Sequence, residues 1–225
     1  MTQVASDVVA YGLAATASVS LLLSIVLILA GRGGVANGLW FLIGLVLALA
    51  GISLVVVLLG GLLAESGIEN RLILDLMKLA LGLFLLAVAW HERPPRAARD
   101  SGKGSGLRAL LDKLDGLTPR TALSTGLVMA VLPKRLVVTV LAASTIGLAG
   151  LDRAEAAVLG ALYLLLASAS VWVVLIAFFA AGRRGESLLA SMKGWLIEHA
   201  HPLAFALSLA FGLLFTGQAV VALLT

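Results

Sequence analysis

Pro133, Lys134 and Arg135 place a helix breaker and two cations inside VMAVLPKRLVVTV (residues 128–140), a run otherwise as apolar as a membrane span. A cation near mid-bilayer costs roughly 2.5 to 3.5 kcal/mol on insertion scales, so such residues usually face a cavity or a partner. Adjacent residues lie about 100° apart on a helix, and the pair can hardly both turn toward lipid. Pro133 has no amide to donate to the preceding turn, which should kink or unwind the backbone there. Lys134, with Arg135 in reserve, would then offer an anion a positive point beside a broken helix, the arrangement by which many secondary transporters hold substrate. In the alternative reading the span begins near Leu136, leaving 16 uncharged residues (136–151). The pair would then snorkel to an interface, with Pro119 to Leu132 as a surface or re-entrant helix.

The remaining polar residues suggest less chemistry. Asp75 and Lys78 are three apart on one helical face and can pair near an interface. As functional groups, Asp75 would be the counter-ion of Lys134 or a proton-coupling carboxylate, with Lys78 beside it. His199 and His201 flank Ala200. Two imidazoles two apart are poorly placed on one helical face, and with no cysteine or clustered carboxylate they suggest the polar start of a span rather than a metal site. Ser53, Ser144, Thr145, Ser168 and Ser170 read as small interhelical packing residues. No GxSxG, HExxH or GxxxxGK[ST] motif occurs. The reading is non-enzymatic, with no cofactor and no ATP site, so energy would come from an ion gradient or a partner.

The elements that must position these residues follow from composition. With 61% hydrophobic and 12% charged residues and a mean hydropathy of +1.10, the sequence describes an integral membrane protein. No basic n-region precedes the first apolar run, so Val8 to about Leu29 is expected to remain as a span. Uncharged stretches at 8–31 and 33–64, then Leu72 to Trp90, give three spans of about 20 residues. HERPPRAARDSGKGSG reads as a linker, followed by the amphipathic LRALLDKL (107–114). In DGLTPR, Gly116 stops that short helix, Thr118 suits an N-cap and Pro119 suits the first helical position. From Pro119 to Leu132 is about 21 Å of helix, which carries Pro133 well into the hydrocarbon layer. The fifth span falls in the 27 uncharged residues between Glu155 and Arg183, and the sixth in Pro202 to Leu224.

The expected fold is thus all-α: residues 1–91 as a first three-helix repeat, 92–118 as a basic cytoplasmic linker, and 119–225 as a second three-helix repeat. Eleven loop cations (Arg32; Arg93, Arg96, Arg99, Lys103, Arg108, Lys113, Arg120; Arg183, Arg184, Lys193) stand against Arg71 and Arg153. The positive-inside rule therefore puts the linker inside and both termini outside, in a multi-pass plasma-membrane protein. Attraction to anionic lipid headgroups accounts for the linker's charge without nucleic acid. Three spans per half make the two halves inverted relative to one another. Setting Gly12-Leu13 beside Gly126-Leu127, an offset of 114, brings Ser18, Val19 and Ser20 opposite Leu132, Pro133 and Lys134. Trp40, Trp90 and Trp195 lie near span ends as interfacial anchors, and Trp172 lies deeper.

MKLALGLFLLAVAWHERPP, followed by DKLDGLTPRTALSTGLVMAVLPKRLVVTVLAASTIGLAGLDRAEAAV, resembles the Gap/Sap family of lipid-addressing proteins within the broader lysine-exporter superfamily. TASVSLLLSIVLIL and ANGLWFLIGLVLAL agree with it in outline, so the resemblance spans nearly the whole chain. Pro133 and Lys134 match the family's Asn-Pro-Lys motif, with Leu132 in place of the asparagine. Ser18 matches its Ser-Pro in span one, with Val19 in place of the proline. The resemblance implies export or surface delivery of a glycolipid beside a larger lipid transporter. Lys134 would hold an anionic headgroup, and Ser18 and Ser20 would supply polar contacts from the symmetry-related span. The superfamily equally implies an exporter of amino acids or other small solutes, and a third reading is a scaffold that moves nothing. A homodimer through small-residue faces is compatible with the 24 glycines.

Because the chain has no cysteine, single substitutions map its topology directly. Thr2→Cys and Thr225→Cys should react with a membrane-impermeant maleimide on intact cells, while Ser105→Cys should react only after permeabilisation.

Overall fold

A computed structural model describes residues 2–31, 33–64, 79–87, 90, 118–182 and 185–224. The elements among them are α1 (Thr2–Thr16), α2 (Val19–Ala30), α3 (Gly34–Ala64), a helical stretch at 79–87, α4 (Pro119–Val131), α5 (Pro133–Gly147), α6 (Arg153–Ala167), α7 (Ala169–Ala181) and α8 (Gly185–Leu224). No strand occurs among them, as expected where lipid offers no acceptor and each segment must satisfy its own backbone.

Gly34–Leu59 and Pro202–Val221 are each long and apolar enough to cross a membrane. Three further pairs pass the same test only when joined: α1 with α2, bent by 54°; α4 with α5, bent by 69°; and α6 with α7, bent by 57°. Five candidate spans result if each pair is one span. Most of the expected Leu72–Trp90 span, with Asp75 and Lys78, lies outside the described residues, as does the linker up to residue 117.

Local sequence explains two helix starts. Thr118 caps α4 in a full capping box with Thr121, and Pro119 takes the first helical position. Asp152 does the same for α6 with Glu155. The α4–α5 break is Pro133's, since Leu132 is extended at φ −55°, ψ 137° and the chain restarts as a helix at Pro133. The continuous span expected between Glu155 and Arg183 is instead bent at Ser168. There the hydroxyl donates back to the Leu164 carbonyl, 2.7 Å away, a competitor for the helical ladder that no proline announces.

Packing interleaves the two halves of the chain: α3 lies against α4 and α5, α1 against α5 and α6, and α2 against α3, α7 and α8. Lipid tails are as apolar as leucine, so close backbone approach rather than hydrophobicity holds such helices together. A Cβ added to Gly126 would overlap the Phe41 carbonyl of α3, and one added to Gly44 would overlap the Leu123 carbonyl of α4. Gly12 faces the Leu166 side chain of α6 in the same way. Gly160, matched to Gly44 in sequence with a further shift of two, has nothing within 4 Å, so the two glycines serve different surroundings. Helix α2 (VSLLLSIVLILA) is apolar apart from Ser20 and Ser24 and buries Leu21, Ile25, Val26, Leu27, Ile28 and Leu29, as a central helix should. Tyr11 of α1 packs on Phe215 of α8 with ring centroids 5.2 Å apart, joining the chain's ends.

Gly126→Val should lower stability by about 1 to 3 kcal/mol or prevent folding, as overpacking does. Gly51→Ala, where an added Cβ meets nothing within 4 Å, should be neutral or gain up to about 1 kcal/mol from helix propensity. Thermal unfolding of the two purified variants in one detergent separates these outcomes.

Candidate functional site

The α1–α2 and α4–α5 breaks meet. A cavity of about 60 Å³ is lined by Ala14, Ala15, Ser18, Ser20 and Leu21 from the α1–α2 break, and by Met129, Leu132, Lys134, Arg135 and Val138 from the α4–α5 break. Four of the five residues singled out in the sequence, Lys134, Arg135, Ser18 and Ser20, thus face one space. Pro133 is outside the lining and acts through the bend it creates.

Arg135 is 5% exposed. Its Nη2 donates to the carbonyl oxygen of Ala15 at 2.7 Å. Ala15 stands in the last turn of α1, where carbonyls have no helical partner and the dipole's negative end gathers. A guanidinium there answers both needs. Its Nη1 is buried without a hydrogen-bond partner among the described residues. Lys134 is partly buried, and its ammonium donates to the Ser208 hydroxyl of α8 at 2.9 Å. Arg135 is thus buried within the protein, and α5 begins at Pro133, bent by 69° from α4, rather than near Leu136.

Behind the cations a short polar relay holds α5 in place. Thr139 donates to the Arg135 carbonyl at 2.8 Å, and the buried Tyr163 hydroxyl of α6 lies 2.8 Å from the same Thr139 oxygen. With one proton each, Tyr163 donates to Thr139 and Thr139 to Arg135. Thr16, at the end of α1, donates to the Leu166 carbonyl and also lies 2.9 Å from the Gly12 carbonyl. The α1–α2 break is thereby tied to the α6–α7 break.

The helices that begin at the cavity are bare. Ser18 is extended and makes no side-chain cap to α2, its hydroxyl lying instead 3.1 Å from that of Ser20. Leu132 has no side-chain oxygen with which to cap α5. The starts of both helices and two cations therefore line one small space together with the end of α1, whose negative dipole end Arg135 offsets.

A model of the family described as Sap, sulfolipid-1-addressing protein, matches residues 8–221. The chain belongs to the sulfolipid-1-addressing protein family. No curated protein and no solved structure matches it. The match runs through both breaks, so in this member of the family Leu132 and Val19 stand at the two helix restarts that form the cavity. The name attaches to the addressing of a lipid, which agrees with a membrane-embedded chain.

Some residues lie elsewhere. Trp172 is 43% exposed on α7 and outside the cavity lining. His199 stacks on Trp195 at 4.9 Å and lies 3.0 Å from the Trp195 carbonyl, part of its own helix surface. Among the described residues no three His, Asp or Glu side chains come together as a metal would require. Ser208, Thr139 and Tyr163 carried no signal in sequence. Each shares its helix with other polar residues, and only the fold reveals its partner.

Thr139→Val should cost about 1 to 3 kcal/mol, because it strands the buried Tyr163 hydroxyl. Tyr163→Phe should cost less, and the double variant less than the sum of the two. Equilibrium unfolding of the four proteins in a double-mutant cycle reads the coupling.

Proposed function

We propose that this family member is a plasma-membrane export facilitator that carries an amphipathic, anionic lipid or glycolipid toward the cell surface. The observation that carries the proposal is the single cavity in which Lys134, Arg135 and two uncapped helix starts meet. Family membership supports a lipid as cargo. So does the cavity's rim: Leu132 lines it and is 38% exposed, in one strip with the exposed Val128 and Val131 of α4. Residues three and four apart share a helix face, so an acyl chain lying on that strip would bring its headgroup to Lys134.

The working architecture is six spans in two inverted three-helix repeats, within the lysine-exporter superfamily. In its favour, α2 restarts at Val19 and α5 at Pro133, which are 114 residues apart, the offset that aligns the two sequences. The α3–α4 pairing is also answered by the α1–α6 pairing. Broken helices facing each other at mid-membrane suit alternating access, in which one repeat rocks against the other around a fixed site. Asp75 and Lys78 remain the proposed ion-coupling pair or counter-ion, and a larger lipid transporter the proposed partner. A second reading, the exporter of amino acids or other small solutes, is favoured by one observation. About 60 Å³ is far below the roughly 300 to 1,000 Å³ of pockets that enclose a whole drug-sized ligand.

Deleting the protein should remove one lipid from surface extracts while it accumulates inside. Wild type should restore it, and Lys134→Ala at matched membrane abundance should restore less than about a tenth, the loss expected for a desolvated charge contact. Unchanged surface lipids in the deletion strain would sink the lipid reading and leave the small-solute exporter.

A further inference from the structure

We infer that the cavity between the two helix breaks is a site for one oxyanion group, a sulfate, phosphate or carboxylate, held by the Lys134, Arg135, Ser18 and Ser20 side chains that line it. The inference deepens the export reading by naming what part of a substrate is held. Volume allows it. A water needs only about 10 to 15 Å³ of probe-occupied space, so a cavity of about 60 Å³ has room for a tetrahedral anion.

Two cations and two hydroxyls, from Lys134, Arg135, Ser18 and Ser20, line that volume. Arg135 is 5% exposed, lines the cavity and has Nη1 without a partner among the described residues. An unpaired guanidinium N–H in a buried site is costly, and an anion's oxygen relieves that cost. The two helix starts supply the second set. At α4 and α6, which begin away from the cavity, Thr118 and Asp152 turn side-chain oxygens onto the first-turn amides in complete capping boxes. At α2 and α5 no side chain does so. At α7 the capping Ser168 instead spends its hydroxyl on Leu164. The starts at the cavity thus leave the Val19 and Ser20 amides of α2 and the Lys134 amide of α5 without a side-chain cap, since Pro133 has no N–H and the Arg135 N–H donates to the Leu132 carbonyl. Lys134 at the mouth completes the set with an ammonium anchored by Ser208, and the Ser18 and Ser20 hydroxyls add donors that rotate to suit.

Arg135 also gives the occupant a structural consequence. One nitrogen is fixed on the Ala15 carbonyl of α1, and the residue lines the cavity. The same guanidinium therefore joins a bound anion to the end of α1 across the interface between the halves. Arg135 is both a ligand-contacting residue and the residue that fixes the α1–α2 break in position.

The test is equilibrium binding of radiolabelled sulfate and of inorganic phosphate to the full chain purified in detergent, with chloride holding ionic strength constant. Saturable binding of one anion per chain is expected. Lys134→Met should weaken it by about ten- to a hundredfold, the change that loss of one charge-assisted hydrogen bond produces. Arg153→Gln, at the exposed start of α6, should leave it unchanged. Ser18→Ala with Ser20→Ala, which removes no charge, should weaken it by a few-fold and guards against misfolding as the cause of loss. Absence of saturable binding, or equal binding by Lys134→Met and wild type, overturns the site. A competition arm then identifies the source of the group. Displacement of labelled sulfate by a sulfated glycolipid, and not by its uncharged parent, assigns the site to a lipid headgroup. Intact sulfate binding that neither lipid displaces assigns it to a free inorganic anion, so that the oxyanion site stands while the lipid-export reading falls.

Discussion

A helix that stops inside a bilayer leaves carbonyls at one end and amides at the other with no water to receive them. The contact between the Arg135 guanidinium and the Ala15 carbonyl answers that constraint, and the rest of the site depends on it. The arginine belongs to the helix after the second break, whereas the carbonyl belongs to the helix before the first. One hydrogen bond therefore holds both interruptions in register. It also fixes a charge where a lone cation would be expensive. The Thr16 contact to the Leu166 carbonyl extends the same solution to the third break, so the orphaned carbonyls of one helix end are met by side chains from another.

Holding the breaks together in this way joins two stretches of unequal chemistry. Ser18, Val19 and Ser20 lie at one break, and Leu132, Pro133 and Lys134 at the other. Both triplets restart a helix at the cavity, but only the second brings charge. The first contributes hydroxyls and a terminal carbonyl that Arg135 can grip. A second pair of cations from the first half would face the first across about 60 Å³ and repel it. With serines there, one anion is enough to balance the site.

Close packing is the other condition. The shared site requires α1 to reach α5 and α6, and α3 to reach α4 and α5. In lipid that reach comes from glycine at the crossings, since Gly44, Gly126 and Gly12 leave no room for a Cβ.

The sequence by itself determined whatever local chemistry enforces. Apolar runs longer than a bilayer's thickness marked the membrane segments, Thr118 and Pro119 marked the start of α4, and Pro133 marked a break, because capping and the missing proline amide act within one turn. The presence of cations beside that break was equally legible. Other features were decided by tertiary structure alone. The first break occurs without a proline, since Val19 replaces it, and it persists because Arg135 and Thr16 satisfy the ends of α1 and α6 from a distance. The bend at Ser168, in a run that reads as one continuous span, depends on a hydroxyl that in sequence looks like any packing serine. Ala15 became part of the site through a carbonyl, which every residue carries and no residue type reveals. Which orphaned backbone group meets which side chain is a matter of how distant helices cross, and that was settled only when the chain folded.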